Sequence, residues 1–303
     1  MKCLVLIMGC NVNPGIRNVK AIKNSYIKSY NDNKQLFKHE YVFYDYVGGA
    51  SENKIENDTI FCTSDDDIYK TYQKTIEAFN TINNKEFDYL IRVNISTYIN
   101  LFVIDKILNS LNSDNIYCNR APSYVDSKKF VNKFFPRGDA YIISKTCLND
   151  ILNTAKDYDA FDDYDFKEKC DDVLLGVLLL KTYGIKILDN IITFNYTFIP
   201  NTFISHDCFY KSMITPFSRL KTCPPNTTSG YSWNDNDYRL YDIEKMFILN
   251  DFIYKHRDFY NTNYEKYKQY LYADESVSDN QIKINNEIKA ISLNDLRKFN
   301  REQ

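Results

Sequence analysis

Glycine and proline are scarce, at 8 and 7 of 303 residues, which excludes collagen-like repeats and Gly/Pro-rich low-complexity chains. Long apolar runs are lacking too. The early one, Cys3 to Cys10, falls short of the ~20 residues a membrane-spanning helix needs, and Leu174 to Leu180 is equally short. Asn11, Asn13 and Pro14 follow the first run where a signal peptide would place its small-residue cleavage site. The expectation is a soluble, cytoplasmic chain with no targeting segment and no membrane span. Neither sign of charge dominates. The 38 basic and 40 acidic residues give a net charge of -2, without the basic excess of a nucleic-acid binder. There is no P-loop, no GxGxxG, no GxSxG and no HExxH. The 8 cysteines are scattered and form no C-x-x-C pair, which argues against structural zinc and for reduced thiols in a cytosol-like compartment.

What is present is a globular composition, 44% apolar and 26% charged, in a chain long enough for a substantial core. Residues 3–9 (CLVLIMG), 40–47 (EYVFYDYV), 59–62 (TIFC) and 87–93 (FDYLIRV) read as strands. Apolar residues at helical spacing occupy 16–30, 67–80 and 101–111. This alternation predicts an α/β fold whose first 115 residues or so form a mostly parallel sheet flanked by helices. Further on, 139–143 reads as a strand, 145–155 and 172–182 as helices, and 185–188 and 191–199 as short strands. A loop is expected at 222–237, then a helix over 243–254 and a peripheral, Tyr/Lys-rich remainder. The expected organisation is one domain over 1–240 with a C-terminal helical extension over 241–303.

Several segments carry candidate chemistry, each with a plainer reading beside it. Gly9 closes the first strand, at the edge where open α/β sheets bind ligands. In 87–101, the strand bearing Arg92 runs into a polar tip at Asn94 and Ser96, which either meets a ligand or serves a turn. Asp171 and Asp172 open an apolar helix. They are helix-start acids, or a carboxylate pair in which one raises the pKa of the other and makes it a general base. Gly138 and Asp139 precede a strand, where glycine satisfies a turn or lets a ligand approach backbone. Arg219 and Lys221 alternate, so in an extended segment both point one way, which suits a diphosphate or a solvated face. His206 is a candidate metal ligand or a hydrogen-bonded loop histidine. The Asp65–Asp67 run looks like a metal cluster, but Asp67 falls where the next helix needs its N-cap.

In order and spacing, these segments resemble the GT-A glycosyltransferases of the beta-1,3-galactosyltransferase and Fringe-like group. Ile16-Arg17 with Ala21 to Tyr26 resembles that group's "IR-x-TW" helix. Asp67-Ile68-Tyr69 with Lys74-Thr75 resembles "DxY…KT". Tyr89 to Arg92 with Tyr98 to Leu101 takes the place of the strand bearing "K-x-DDD-x-x-VN". Gly138 to Ser144 resembles "GxGYxxS", and Asp171-Asp172-Val173 with Gly176 resembles "EDVxxG". The resemblance covers roughly residues 3–221. Where the group has metal-binding acids, this chain has Asn94, Ile95 and Ser96. In that it is similar to a related set of glycosyltransferases of large DNA viruses, algae and bacteria with an "R-T-N-x-S-S" stretch and an Arg-x-Lys like Arg219-Leu220-Lys221.

The resemblance implies a nucleotide-sugar donor, a UDP-sugar above all, and a glycan or glycoprotein acceptor. Gly9, Arg92, Asn94, Ser96, Gly138, Asp139, Arg219 and Lys221 would bind the donor, and Asp172, beside Asp171, would be the base for inverting transfer. Asn and Ser oxygens are weak ligands for Mg²⁺ or Mn²⁺, so no cofactor is expected, or a weakly bound cation at most. The other reading is a non-catalytic carbohydrate- or nucleotide-sugar-binding protein descended from a transferase.

Overall fold

The computed structural model describes residues 1–13, 15–67, 70–111, 116–122, 134–158, 171–184, 191–193, 197–198, 211–220, 236–262 and 264–267. β1 (Lys2–Met8) is apolar on both faces and buried along nearly its whole length, as a central strand between two helical layers must be. It pairs in parallel with β2 (Glu40–Val47) on one side and β5 (Tyr89–Asn94) on the other. Beyond β2 lie β3 (Lys54–Glu56) and β4 (Thr59–Phe61). Beyond β5 lie β7 (Ile116–Pro122), β8 (Phe134–Ser144) and β9 (Ile191–Thr193). The eight-stranded order is β3-β4-β2-β1-β5-β8-β7-β9.

The sheet is mixed. The block β4-β2-β1-β5 is parallel, as the βα spacing anticipates. Long β8 then runs antiparallel to both β5 and β7, and β3 runs antiparallel to β4. A small second sheet joins β6 (Thr97–Ile99), β11 (Phe217–Arg219) and β10 (Thr197–Phe198). The strand expected at 185–188 and most of the loop expected at 222–237 lie outside the described residues.

Alternation along the strands feeds two cores. Cys3, Val5, Ile7, Ile91 and Val93 face α1 (Gly15–Ile22) and α4 (Leu101–Leu108), while Leu4, Leu6 and Leu90 face α3 (Thr71–Ile82), α5 (Lys145–Asp157) and α6 (Asp171–Tyr183). The first helical stretch is interrupted after α1 by a π-helical turn over Lys23–Ile27, then continues as α2 (Lys28–Asp32). Side chains of Asn100 and Ser144 cap α4 and α5 by accepting from the N–H groups of Val103 and Cys147. α7 (Asn236–Lys255) sets Met246, Leu249 and Ile253 into the core that holds Val19 and Ile22. Among the described residues, no helix is long and apolar enough to cross a membrane.

The carboxyl ends of the parallel block are tied together by one buried cluster. Lys74 reaches from α3 to Asp66 (2.6 Å) and to the carbonyl of Gly9 (2.9 Å). Asp66 also accepts from the N–H groups of Asn11 and Gly48. α3 starts at Thr71 with no side-chain cap from Lys70, and just ahead of it the Asp67 carbonyl accepts from Lys70 N–H (2.9 Å). Gly48 is required sterically. A Cβ there would sit 2.2 Å from the Ser64 carbonyl oxygen and 2.7 Å from Asp65 C, both backbone. Gly48→Ala is therefore expected to destabilise by about 1–3 kcal/mol, read as a lower urea midpoint at unchanged slope.

Candidate active site

Arg92 stands where strand alternation calls for an apolar residue. It points into the core between β5 and α3/α6 and is 0% exposed. Each arm of its guanidinium is held. Nε donates to the Tyr46 hydroxyl (3.2 Å), Nη1 to the Gly138 carbonyl (2.5 Å), and Nη2 to Asp171 and the Met8 sulfur. Its carbon Cζ lies 5.6 Å from the Tyr141 ring centroid, and Tyr46 bonds onward to Thr75 (3.1 Å). Burial opposes the charge, but Asp171 and the two tyrosines more than offset it, so the Arg92 pKa is raised. The guanidinium stays charged and fixes Asp171 at the first turn of α6.

Asp172, next in the chain, is half-buried and differently placed. Its Oδ2 accepts from Gly138 N–H (3.1 Å) and its Oδ1 from Val173 N–H (2.9 Å). Burial and the neighbouring Asp171 charge raise its pKa to about 6, against the lowering pull of those two N–H donors and Arg92. Gly138 lies between the two systems, its carbonyl on Arg92 and its N–H on Asp172. A Cβ at Gly138 would come within 3.2 Å of Asp172 Oδ2, so glycine here permits the close approach of β8 to α6.

A polar chain links Asp139 of β8, next to Gly138, to the small sheet. Register places Arg219 of β11 opposite Thr97 of β6. Arg219 Nη1 donates to Thr97 Oγ1 (3.3 Å), which donates to the Asp139 carbonyl (3.1 Å). The Asp139 carboxylate, itself buried, pairs with Arg137 Nε at 3.1 Å. Asn94 accepts long bonds from the N–H and hydroxyl of Ser96 (3.4 and 3.5 Å), which is the turn-serving role. Ser96 has no exposed surface, its carbonyl accepts from Leu220 N–H (2.8 Å), and Ile95 is core. Gly9 is buried, with its N–H on the Tyr46 carbonyl and its carbonyl on Lys74.

The structure thus gathers Arg92, Gly138, Asp139, Asp171, Asp172 and Arg219 around the junction of β5, β8, β11 and α6. Asn94 and Ser96 are at the same strand end but face inward. Lys221 and His206 lie outside the described residues. Sequence reasoning missed Tyr46, Thr97, Arg137 and Tyr141. Arg137 had a signal, a cation beside the glycine of an interrupted strand. The Tyr141 hydroxyl is buried with no partner among the described residues, beside Arg92 and the two acids. Among the described residues, no three His, Cys, Asp or Glu side chains form a metal-holding group. The structure is an α/β protein with a carboxylate pair, Asp171 held by Arg92 and Asp172 with its pKa raised, at the junction of β5, β8 and α6. No protein-family model and no curated protein matches the chain.

Proposed function

We propose that the chain is a glycosyltransferase that moves a sugar from a nucleotide-sugar donor, a UDP-sugar, to a hydroxyl of a glycan or glycoprotein, with inversion. The arrangement that carries this reading is a carboxylate pair at the start of α6, Asp171 pinned by Arg92 and Asp172 held by the N–H groups of Gly138 and Val173, with burial and Asp171 raising the Asp172 pKa. At neutral pH a carboxyl raised this way is largely ionised, yet basic enough to take a proton in the transition state. In the proposed step the acceptor oxygen attacks the anomeric carbon as its proton passes to Asp172. The bond from that carbon to the diphosphate oxygen breaks, and the electron pair leaves with the nucleotide diphosphate. Arg219, held at Thr97, would supply fixed positive charge near the pair, and Lys221 comes two residues after it.

Asn94, Ile95 and Ser96, which stand where the resembled group has metal-binding acids, do not fit a divalent cation. Asn94 Oδ1 serves its own turn, Ile95 is apolar, and Ser96 is enclosed. The reading is therefore transfer that depends weakly on metal or not at all.

A thermal-shift screen of nucleotide sugars, with Mn²⁺ and with EDTA, tests the reading, because a ligand bound only by the folded state raises its apparent stability. One UDP-sugar is expected to raise the midpoint in both conditions and to be hydrolysed above background. Binding without turnover would make the chain a carbohydrate- or nucleotide-sugar-binding relic of a transferase. No response to any nucleotide sugar would remove the proposal.

A further inference from the structure

β11 carries Arg219, yet it is only three residues long. It pairs with β6 over Phe217–Arg219 and with β10 over two residues, and a ladder this short does not fix a side chain by itself. Both flanks of the strand are held by buried side chains. Ahead of it, Asn100 gathers the incoming chain. Its N–H donates to the Pro216 carbonyl (2.9 Å), and its side-chain amide donates to the Ser212 carbonyl (2.9 Å). The same amide donates to the Tyr260 hydroxyl (2.8 Å) of α8 (Phe259–Thr262), whose ring stacks on Phe102 of α4 at 4.8 Å.

Behind the strand, Leu220 is buried as well. Its N–H donates to the Ser96 carbonyl (2.8 Å), the last rung of the pairing, and its carbonyl accepts from Lys245 Nζ of α7 (3.3 Å). Lys245 is 1% exposed. A buried ammonium is costly unless it is paired, and an apolar side chain could fill the same space without that cost, so packing alone does not call for lysine here. Asp242, equally buried and three positions earlier, lies on the same face of the helix. What the lysine supplies is a donor that reaches from α7 to the main chain between Arg219 and Lys221.

We infer that the C-terminal helices belong to the donor site, as a clamp on β11. Lys245 of α7, and Tyr260 of α8 acting through Asn100, are positioning residues. They fix the strand so that Arg219 stays on Thr97, which is tied through the Asp139 carbonyl to the residue after Gly138, the donor to Asp172. The donor's diphosphate then meets a preorganised charge. The inference rests on the sugar-transfer reading and gives the C-terminal helices a role in it.

UDP binding to the full chain, followed by titration calorimetry, tests the clamp. Lys245→Met keeps an unbranched stem and removes the donor. It should weaken UDP about tenfold, the worth of one charge-assisted contact, and speed hydrogen exchange at Leu220 N–H. In an Arg219→Ala background the same change should cost nothing further, because its effect passes through Arg219, whereas general damage to the fold would weaken both backgrounds alike. Tyr260→Phe keeps the ring on Phe102, removes only the hydroxyl, and is expected to weaken UDP about threefold, so the clamp is tested even where Lys245→Met does not fold. UDP binding that neither variant changes, or an equal loss from Lys245→Met with and without Arg219, overturns this assignment and leaves the transfer reading standing. A native chain that does not bind UDP overturns both.

Discussion

Arg92→Leu is expected to cost the fold about 3–5 kcal/mol, the range for removing one member of a buried ion pair. The substitution strips the charge partner from Asp171, whose side chain is 13% exposed, and the donors from the Tyr46 hydroxyl and the Gly138 carbonyl. Lysine is not a substitute, because one ammonium cannot reproduce a planar fork that meets four separate acceptors. Leucine at both Arg92 and Asp171 should be less damaging than Arg92→Leu alone, since no charge is then left unpaired. Urea unfolding of the two single variants and the double variant gives the coupling energy directly. A cost below about 1 kcal/mol for Arg92→Leu would show that this cluster does not hold β5, β8 and α6 together. If Arg92→Leu alone still folds, its Asp172 pKa should rise further, because Arg92 is among the groups that lower it, whereas loss of Asp171 should lower it.

How much of this was legible depends on the range of each interaction. β2 was readable to its ends because alternating aromatic and β-branched residues stop at Gly48-Gly49. β3 (Lys-Ile-Glu) was missed, being three residues long and mostly polar, with its state set by pairing to β4. β7 was missed because Asn119 and Arg120 interrupt its apolar pattern where the register shifts against β8. The π-helical turn left no mark, since Lys23–Ile27 keeps helical apolar spacing. At the site, Asp171 and Asp172 could be singled out as a pair, but their different roles could not. Those roles depend on Arg92, 79 residues away from Asp171, and on Gly138, 34 residues away from Asp172. The role of Asp66, within the acidic run read as a capping segment, was not legible either. Its partners, Lys74, Asn11 and Gly48, come from three other segments.

Asp172→Asn is expected to reduce turnover about a hundredfold to ten-thousandfold, the contribution of a positioned general base. In the native protein kcat/KM should rise with pH through about 6 and level off above it, as Asp172 loses its proton, and the variant should lack that limb. Stability supplies a second readout that does not depend on substrate. Below about 3.8, the ordinary value, Asp172 is protonated in both folded and unfolded chains. Between 3.8 and about 6 the unfolded chain ionises first, so the native protein loses stability as pH rises, and above 6 the loss is constant. Its size is on the order of 2 kcal/mol once partial exposure is allowed for. Asparagine does not titrate, but it keeps only one of the two acceptors used by Gly138 and Val173, a fixed cost of about 1 kcal/mol. The difference in unfolding free energy, variant minus native, should therefore move in the variant's favour from pH 4 to pH 6 and then stay flat. A variant that loses turnover while gaining relative stability over that window would tie the raised carboxyl to chemistry and exclude misfolding as the cause. If turnover survives the substitution, the base lies elsewhere, whatever the stability curves show.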